Sequence, residues 1–220
     1  TLSSGGIINT LNKLRIYGYR SGGDNGTYFG DTTNSDNCEW GWSSFAEGKC
    51  SNWGNPQSEI FLEALRYYSG FTAATDFSVS GNDKITGLTS ATWSDPLTTN
   101  NRCAPLNVIG FNTSVPSYDS YTTNSDTTTG YSSILSLWGS VVSLTDVIGV
   151  GEGIHGNQWF IGTSGTDTNQ LCTAKTITSL GSVTGPCPEA PRLSGSYLIA
   201  GLANYAYTHD LRTDLTDDQM

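Results

Sequence analysis

The cysteines are the residues whose spacing most directly indicates chemistry. Five cysteines occur in 220 residues, and four of them fall into two pairs separated by 12 and 15 positions. Each pair brackets sequence that favours turns, and closing loops of this length would stabilise the fold by about 3 kcal/mol each. We therefore predict disulfides joining Cys38 to Cys50 and Cys172 to Cys187, which leaves Cys103 free or bonded to another segment.

Metal binding is the competing interpretation of the same cysteines. A zinc site would need a Cys-x-x-Cys sequence or histidines at ligand spacing, and His155 and His209 are not so placed. No Asp-x-Asp-x-Asp-Gly calcium loop is present, so Asp119 and Asp126 could supply only weak ligands. Disulfides are favoured, which indicates an oxidising, extracytoplasmic compartment, and we predict no metal and no cofactor.

Catalytic patterns are equally sparse. Residues 151–156 match Gly-x-Gly-x-x-Gly, but the sequence that follows favours a strand where a phosphate-binding helix would begin, so we interpret them as a turn. No Gly-x-Ser-x-Gly elbow exists, and Ser164 lies in an ordinary Gly-rich turn. Glu59 and Glu63 are four positions apart, which is typical of a solvated helix face. We predict that the chain has no catalytic residues and is not an enzyme.

Aromatic residues in polar, glycine-rich loops are the remaining candidates for function. The chain contains 6 Trp and 11 Tyr, and such side chains can anchor a protein partner, stack on sugars or only pack a loop against the core. Two stretches, near residues 20–53 and 117–131, have the composition of surface loop insertions. The candidate interaction residues in them are Trp40, Trp42, Trp53, Tyr118 and Tyr121.

Composition limits the partners. Twenty acidic against ten basic residues give a formal net charge of −10, so the chain repels a nucleic-acid backbone, and we predict no nucleic-acid binding. No apolar run reaches the roughly 18 residues that a membrane span requires. A hydrophobic content of 36% is enough to bury a core, so we treat residues 1–220 as a single or partial domain of a larger protein.

Hydrophobic periodicity predicts the helices that position these residues. A first helix is predicted over residues 7–16, and a second begins with Asn55 as its cap and ends before Gly70. A final helix is predicted over about 194–209. The apolar face of the second helix would consist of Ile60, Phe61, Ala64, Leu65 and Tyr68.

Shorter apolar runs lie between these helices. Residues 107–111 have the pattern of a buried strand, and residues 158–161 that of a further short strand. Residues 134–142 fit either a helix or a strand. Helices that alternate with isolated strands indicate an α/β or α+β fold, loop-rich and held by disulfides.

Several sequence blocks together resemble a known family. They occur at residues 14–18, 52–56, 63–67, 87–96, 171–175, 187–193 and 210–212. These blocks are similar to those of the PilC/PilY family of type IV pilus-associated adhesins and biogenesis factors. The resemblance implies a von Willebrand A-like architecture, in which this chain is the later part of the N-terminal region, and an extracellular, pilus-associated location.

The metal site of von Willebrand A domains is a separate question within that resemblance. Asp76, Ser78 and Ser80 match the Asp-x-Ser-x-Ser motif, but the residues before them make a poor buried strand. Asn112-Thr113-Ser114 stand where metal-binding A domains have Thr-Asp-Gly. We therefore expect no metal-dependent adhesion site in this chain.

Two functions follow from these observations. The first is a non-enzymatic segment that contacts pilins or minor pilins, the rest of its parent chain, or a host or surface receptor. The alternative is a secreted carbohydrate-binding or hydrolytic domain that uses its aromatic loops. Saturable sugar turnover would favour the alternative.

The two disulfides can be tested by peptide mapping without reduction. We expect one peptide pair joined through Cys38 and Cys50 and another through Cys172 and Cys187, with Cys103 outside both. Recovery of these four cysteines as alkylated thiols from unreduced protein would contradict the pairing and the oxidising compartment together.

Overall fold

The computed structural model describes residues 55–71, 93–112, 115–117, 119, 139–188, 191 and 195–215. These residues form an α+β arrangement. The helices are α1 (Gln57–Tyr68), α2 (Val141–Gly151) and α3 (Leu198–Thr208), and the strands are β1 (Gln158–Thr163), β2 (Thr173–Thr176) and β3 (Thr184–Pro186). The helix predicted over residues 7–16 lies outside the described residues.

Helix α1 is the element that the sequence predicts most clearly, but it is not capped by Asn55. The helix begins at Gln57, and the residue before it, Pro56, makes no side-chain capping hydrogen bond. The backbone of Asn55 instead pairs with Ser117 in both directions, at 3.0 and 3.1 Å. Its side-chain amide donates to Asn112 Oδ1 at 2.7 Å. The predicted cap was wrong because this side chain has distant partners.

A distant carboxylate caps the helix in its place. The backbone N–H of Ser58, in the first turn of α1, donates to Asp119 Oδ1 at 2.7 Å, and the N–H of Glu59 also bonds to this carboxylate. Asp119 is completely buried. A negative charge at this end of a helix accepts free N–H groups and interacts favourably with the helix dipole.

The same carboxylate reaches the start of α3. Ser196 Oγ donates to Asp119 Oδ2 at 2.7 Å, and the N–H of Leu198, the first residue of α3, donates to Ser196 Oγ at 3.3 Å. Helix α3 has no side-chain cap at Tyr197. Asp119 therefore connects the first turn of α1, which has no local cap, with Ser196, whose hydroxyl accepts the first N–H of α3.

The three helices enclose the first apolar cluster. Gly201 lets α3 approach α2 closely, because a Cβ atom at this position would collide with Thr145 and Leu144. The predicted final helix is confirmed, although it starts at Leu198 rather than near residue 194. The buried members of the cluster are Leu62, Leu65, Val141, Leu198 and Leu202.

The face that α1 buries differs from the predicted one. Leu62 and Leu65 point into the core, whereas Ile60 is exposed. Glu59 is buried and Glu63 is largely covered, so these carboxylates do not form the predicted solvated face. Glu63 lies 3.5 Å from the buried Arg66. The prediction was wrong because periodicity identifies a stripe of apolar residues but not the polar partners beside it.

The strands form a small antiparallel sheet with the order β2-β1-β3. Phe160 pairs with Ala174 and Ile161 with Thr173, so the strand predicted at 158–161 is confirmed. A second buried cluster beside the sheet consists of Ile161, Ile177, Leu180 and Val183. Cys172 and Cys187 form a disulfide with their Cα atoms 5.8 Å apart, one of the two pairings that spacing predicts.

The predictions for two other stretches had different outcomes. Residues 151–156 close α2 and turn towards β1, as predicted, with positive φ at Gly153 and Gly156. Residues 107–111 are not a buried strand. They pair with no other strand in the described ranges, and Ile109 and Phe111 are exposed. Apolar composition alone predicted burial here, and the prediction was wrong.

Asp119 makes the stability of this fold depend on pH. Burial raises the pKa of Asp119, although hydrogen bonds from Ser196 and Ser58 act in the opposite direction. The folded state therefore binds this proton more tightly than the unfolded chain. The resulting stabilisation is fully present below the unfolded pKa near 3.8 and is lost as pH rises through the higher folded pKa.

We expect the Asp119→Asn variant to gain stability relative to the wild type as pH rises through that window. The gain should be about 1.4 kcal/mol for each unit of pKa difference. Chemical denaturation over a pH series measures it, with Glu152→Gln at an exposed position as the control. A difference between wild type and Asp119→Asn that is constant with pH, or that moves the other way, would contradict this assignment.

Candidate functional site

The predicted interaction residues do not fall in the described part of the chain. Cys38 and Cys50, and the predicted insertion at 20–53, also lie outside it. The described residues instead show a framework of helices and a small sheet and the surface that this framework exposes. The interaction residues concerned are Trp40, Trp42, Trp53, Tyr118 and Tyr121.

Arg212 forms the most extensive ion-pair cluster of the described residues. Its guanidinium donates to both carboxylate oxygens of Asp95 at 2.8 and 2.9 Å, and to both oxygens of Asp214 at 2.9 and 3.0 Å. The arginine is 1% exposed. A planar guanidinium suits this double bidentate arrangement, and the ammonium of a lysine would not reproduce it.

The two carboxylates shift the ionisation of this cluster. Hydrogen bonding to Asp214, followed by that to Asp95, raises the pKa of Arg212 despite its burial. Arg212 in turn lowers the pKa of Asp214. The arginine therefore stays charged and holds the end of the described chain against residues 117 positions earlier.

Gly70 makes room for this cluster at the end of α1. Its φ of 77° is in the left-handed region, and the N–H groups of Gly70 and Phe71 donate to the carbonyls of Tyr67 and Arg66 at 3.2 and 3.1 Å. This is the usual glycine-terminated end of a helix. A Cβ atom on Gly70 would lie 3.4 Å from Asp95 and 3.5 Å from Arg212.

Lys175 organises the loop between β1 and β2. The lysine is 4% exposed, and its ammonium lies 3.9 Å from Asp167. Four oxygens lie within 2.7 to 3.1 Å of the ammonium and share its three N–H donors, which satisfies a charge that would otherwise be costly to bury. They are Ile161 O, Leu171 O, Asn169 Oδ1 and Thr173 Oγ1.

His155, Asp146 and Ser179 have the residue types of a catalytic triad but not its geometry. The N–H of Leu180 donates to His155 Nε2 at 3.0 Å, so this nitrogen is already an acceptor. Ser179 Oγ donates to Asp146 Oδ2 at 3.0 Å rather than to the histidine. A serine nucleophile needs the histidine as its base, so this cluster is structural as described.

Ser164 also has a structural partner. Its hydroxyl donates to the carbonyl of Thr176 at 2.8 Å, and its backbone pairs with Asp167 in both directions at 3.0 Å. These contacts close the turn after β1. The serine therefore holds a hairpin, as its Gly-rich context suggests.

Large apolar side chains, by contrast, are exposed at several positions on the described surface. Several large ones are more than half exposed, and Phe111 is fully exposed. Exposed apolar side chains mark interaction sites where they form a contiguous patch, whereas single exposed ones are common on any protein surface. The most exposed large residues are Ile60, Ile109, Phe111, Val147, Val150, Phe160, Leu171 and Tyr207.

Metal and membrane sites were also sought in the described ranges. No group of three or more His, Cys, Asp or Glu side chains there could hold a metal ion. No helix among the described elements is long and apolar enough to cross a membrane.

Comparison with known proteins identifies the family. A family model described as PilY1 homolog, second domain, matches residues 1–206. The chain is 29% identical over 223 residues to a type IV pilus biogenesis factor PilY1 homolog from Xylella fastidiosa (strain Temecula1 / ATCC 700964), which covers 94% of this chain and 14% of that relative. No solved structure matches the chain significantly.

The chain belongs to the PilY1 homolog family, in which it corresponds to the second domain. This confirms the resemblance to PilC/PilY proteins. The chain spans 14% of the length of the curated relative.

Several of the blocks that carried the resemblance contact one another in the described residues. The ring of Tyr67 packs edge-on against Trp93 with the ring centroids 5.4 Å apart, and Asp95 binds Arg212. The Cys172–Cys187 disulfide joins two further blocks. The sequence pointed to Arg212 and Lys175 only as members of these blocks, because a single basic residue in a sequence does not show which groups it contacts in the fold.

Substitution of Arg212 tests whether the bidentate hydrogen bonds of its guanidinium, rather than its charge alone, stabilise the fold. We expect Arg212→Lys to lower the free energy of unfolding by about 2 kcal/mol, because bidentate hydrogen bonds to both carboxylates are lost while the positive charge remains. Denaturant unfolding measures this change. Arg102→Lys, at a residue that the structure leaves partly exposed, should change stability by less than about 0.5 kcal/mol. Equal effects of the two substitutions would contradict the structural role of Arg212.

Proposed function

We propose that this chain is a non-enzymatic, extracellular segment of a type IV pilus-associated adhesin or biogenesis protein, and that it acts through protein–protein or cell-surface contacts. The family match over residues 1–206 carries this proposal. The curated relative is named as a type IV pilus biogenesis factor. The partners proposed for this chain are pilins or minor pilins, the rest of its parent polypeptide, and a host or surface receptor.

The use of polar groups in the described framework supports a binding role. Asp119, Arg212 and Lys175 each have several hydrogen-bond partners within the chain. His155 accepts a backbone N–H at the nitrogen that a catalytic base would use. These groups stabilise the fold, whereas large apolar side chains are exposed to partners.

The chemistry of the chain also agrees with a cell-surface location. The Cys172–Cys187 disulfide is of a kind that persists in oxidising compartments. The von Willebrand A-like architecture remains a proposal that rests on the family resemblance. The net charge of −10 favours partners that offer basic or apolar surfaces.

Piliation of a strain that lacks the gene tests the proposed role. We expect the wild-type gene to restore surface pili, and the Trp40→Ala/Trp42→Ala double variant to bind its pilus partner roughly tenfold more weakly or worse, because truncating aromatic hot spots costs more than about 1.4 kcal/mol. The matched control is Thr166→Ala/Thr168→Ala, which truncates two exposed polar side chains, also two positions apart, in the loop between β1 and β2.

The outcomes separate the candidate functions. Normal piliation without the gene would contradict the pilus role, and equal effects of the two double variants would contradict a specific role for the tryptophan loop. Both variants must be shown to be folded. Saturable sugar turnover by the purified protein would instead support the carbohydrate-active alternative.

A further inference from the structure

Residues 107–112 combine the composition of a strand with the exposure of a surface loop. They read Asn-Val-Ile-Gly-Phe-Asn, with β-branched and aromatic residues that favour strands and no charge. Ile109 is 86% and Phe111 is 100% exposed. We call these residues the 107–112 segment. Two of its three large apolar side chains are therefore almost entirely open to solvent.

The two ends of the 107–112 segment are attached to opposite ends of α1. Tyr68, the last residue of the helix, donates its hydroxyl to the carbonyl of Asn107 at 2.6 Å. Asn55, just before the helix, donates its side-chain amide to Asn112 Oδ1 at 2.7 Å. A helix of 12 residues is about 18 Å long, so the 107–112 segment, reached by the Tyr68 and Asn55 side chains, runs alongside the helix between its two ends.

The backbone between these attachments makes no hydrogen bond with the part of the chain that the structure describes. Among the described residues, none of 108–111 donates or accepts a backbone hydrogen bond. A Cβ atom at Gly110 would meet nothing within 4 Å. An extended backbone with free N–H and C=O groups is a template on which another strand can add.

We propose that the 107–112 segment pairs with a β-strand contributed by a part of the same polypeptide outside these 220 residues. This proposal rests on the proposed function, because it selects one of the partners proposed there, the rest of the parent polypeptide. The occupant is argued from length, because the matched region is only 14% of the curated relative. It is also argued from charge, because a second copy would bring together two chains of net charge −10.

Cross-linking from Phe111 identifies the occupant. A benzoylphenylalanine replacing the fully exposed Phe111 in the complete polypeptide should cross-link to a strand beyond these 220 residues of the same molecule. Mixed light and heavy isotope labelling separates cross-links within one molecule from those between molecules. The matched control replaces Tyr207, an aromatic residue that is 86% exposed on α3, and should give no cross-link to that strand.

Proline substitutions test the pairing itself. Successive residues of a strand direct their N–H groups to opposite sides, so only one of Ile109→Pro and Gly110→Pro should remove an inter-strand hydrogen bond. We expect the amides around this position to exchange at least about tenfold faster in that variant, and to remain protected in the other and in Ile109→Thr. Neither proline removes a hydrogen bond that the described residues make.

The outcomes are decisive for the occupant. A cross-link within the same molecule to a distant strand, with alternating sensitivity to proline, supports the proposal. A cross-link to a second copy, to a pilin or to no polypeptide overturns it. A full-length gene that encodes no β-strand beyond these 220 residues would also overturn it. The cross-linking and exchange results do not depend on piliation. The proposed function is tested separately, by piliation of the strain that lacks the gene, so the two proposals can fail independently.

Discussion

The carboxylate of Asp119 is the interaction on which the starts of α1 and α3 depend. Neither α1 nor α3 has a side-chain cap at its own N-terminus, so the free N–H groups of these first turns need acceptors from elsewhere. Asp119 supplies one to Ser58, which is 61 residues away, and holds Ser196, which is 77 residues away. Desolvation of a buried carboxylate is unfavourable, and the hydrogen bonds from Ser58 and Ser196 offset part of that cost.

The same principle of distant polar anchors recurs at the other end of α1. Arg212 binds Asp95 across 117 residues and lies beside the glycine that ends the helix. These anchors matter because the described apolar clusters are small, with five and four buried residues. A small core stabilises a loop-rich chain only modestly, so the relative positions of its helices depend strongly on buried hydrogen bonds and ion pairs.

Local patterns predicted the elements whose causes are local. The periodicity of α1 and α3 and the short apolar run of β1 were sufficient, and cysteine spacing indicated the Cys172–Cys187 pair. The start of α1 was mispredicted because its acceptor lies in a distant segment. Similarly, nothing near Lys175 or Arg212 in sequence distinguishes a buried, fully paired cation from a solvated one. Residues 107–111 have a strand-like composition, but composition does not specify a partner.

The distribution of polar and apolar groups also bears on what the chain can recognise. Groups that could perform chemistry, such as His155 and Lys175, are engaged in the framework. Large apolar groups lie outside it, on α2, on β1 and in the 107–112 segment. A surface of this kind gains free energy by excluding water from a partner, while the net charge of −10 disfavours acidic ones. Apolar side chains and unpaired backbone groups are therefore what the described residues offer to the proposed partners, and the polar anchors determine where these groups are presented.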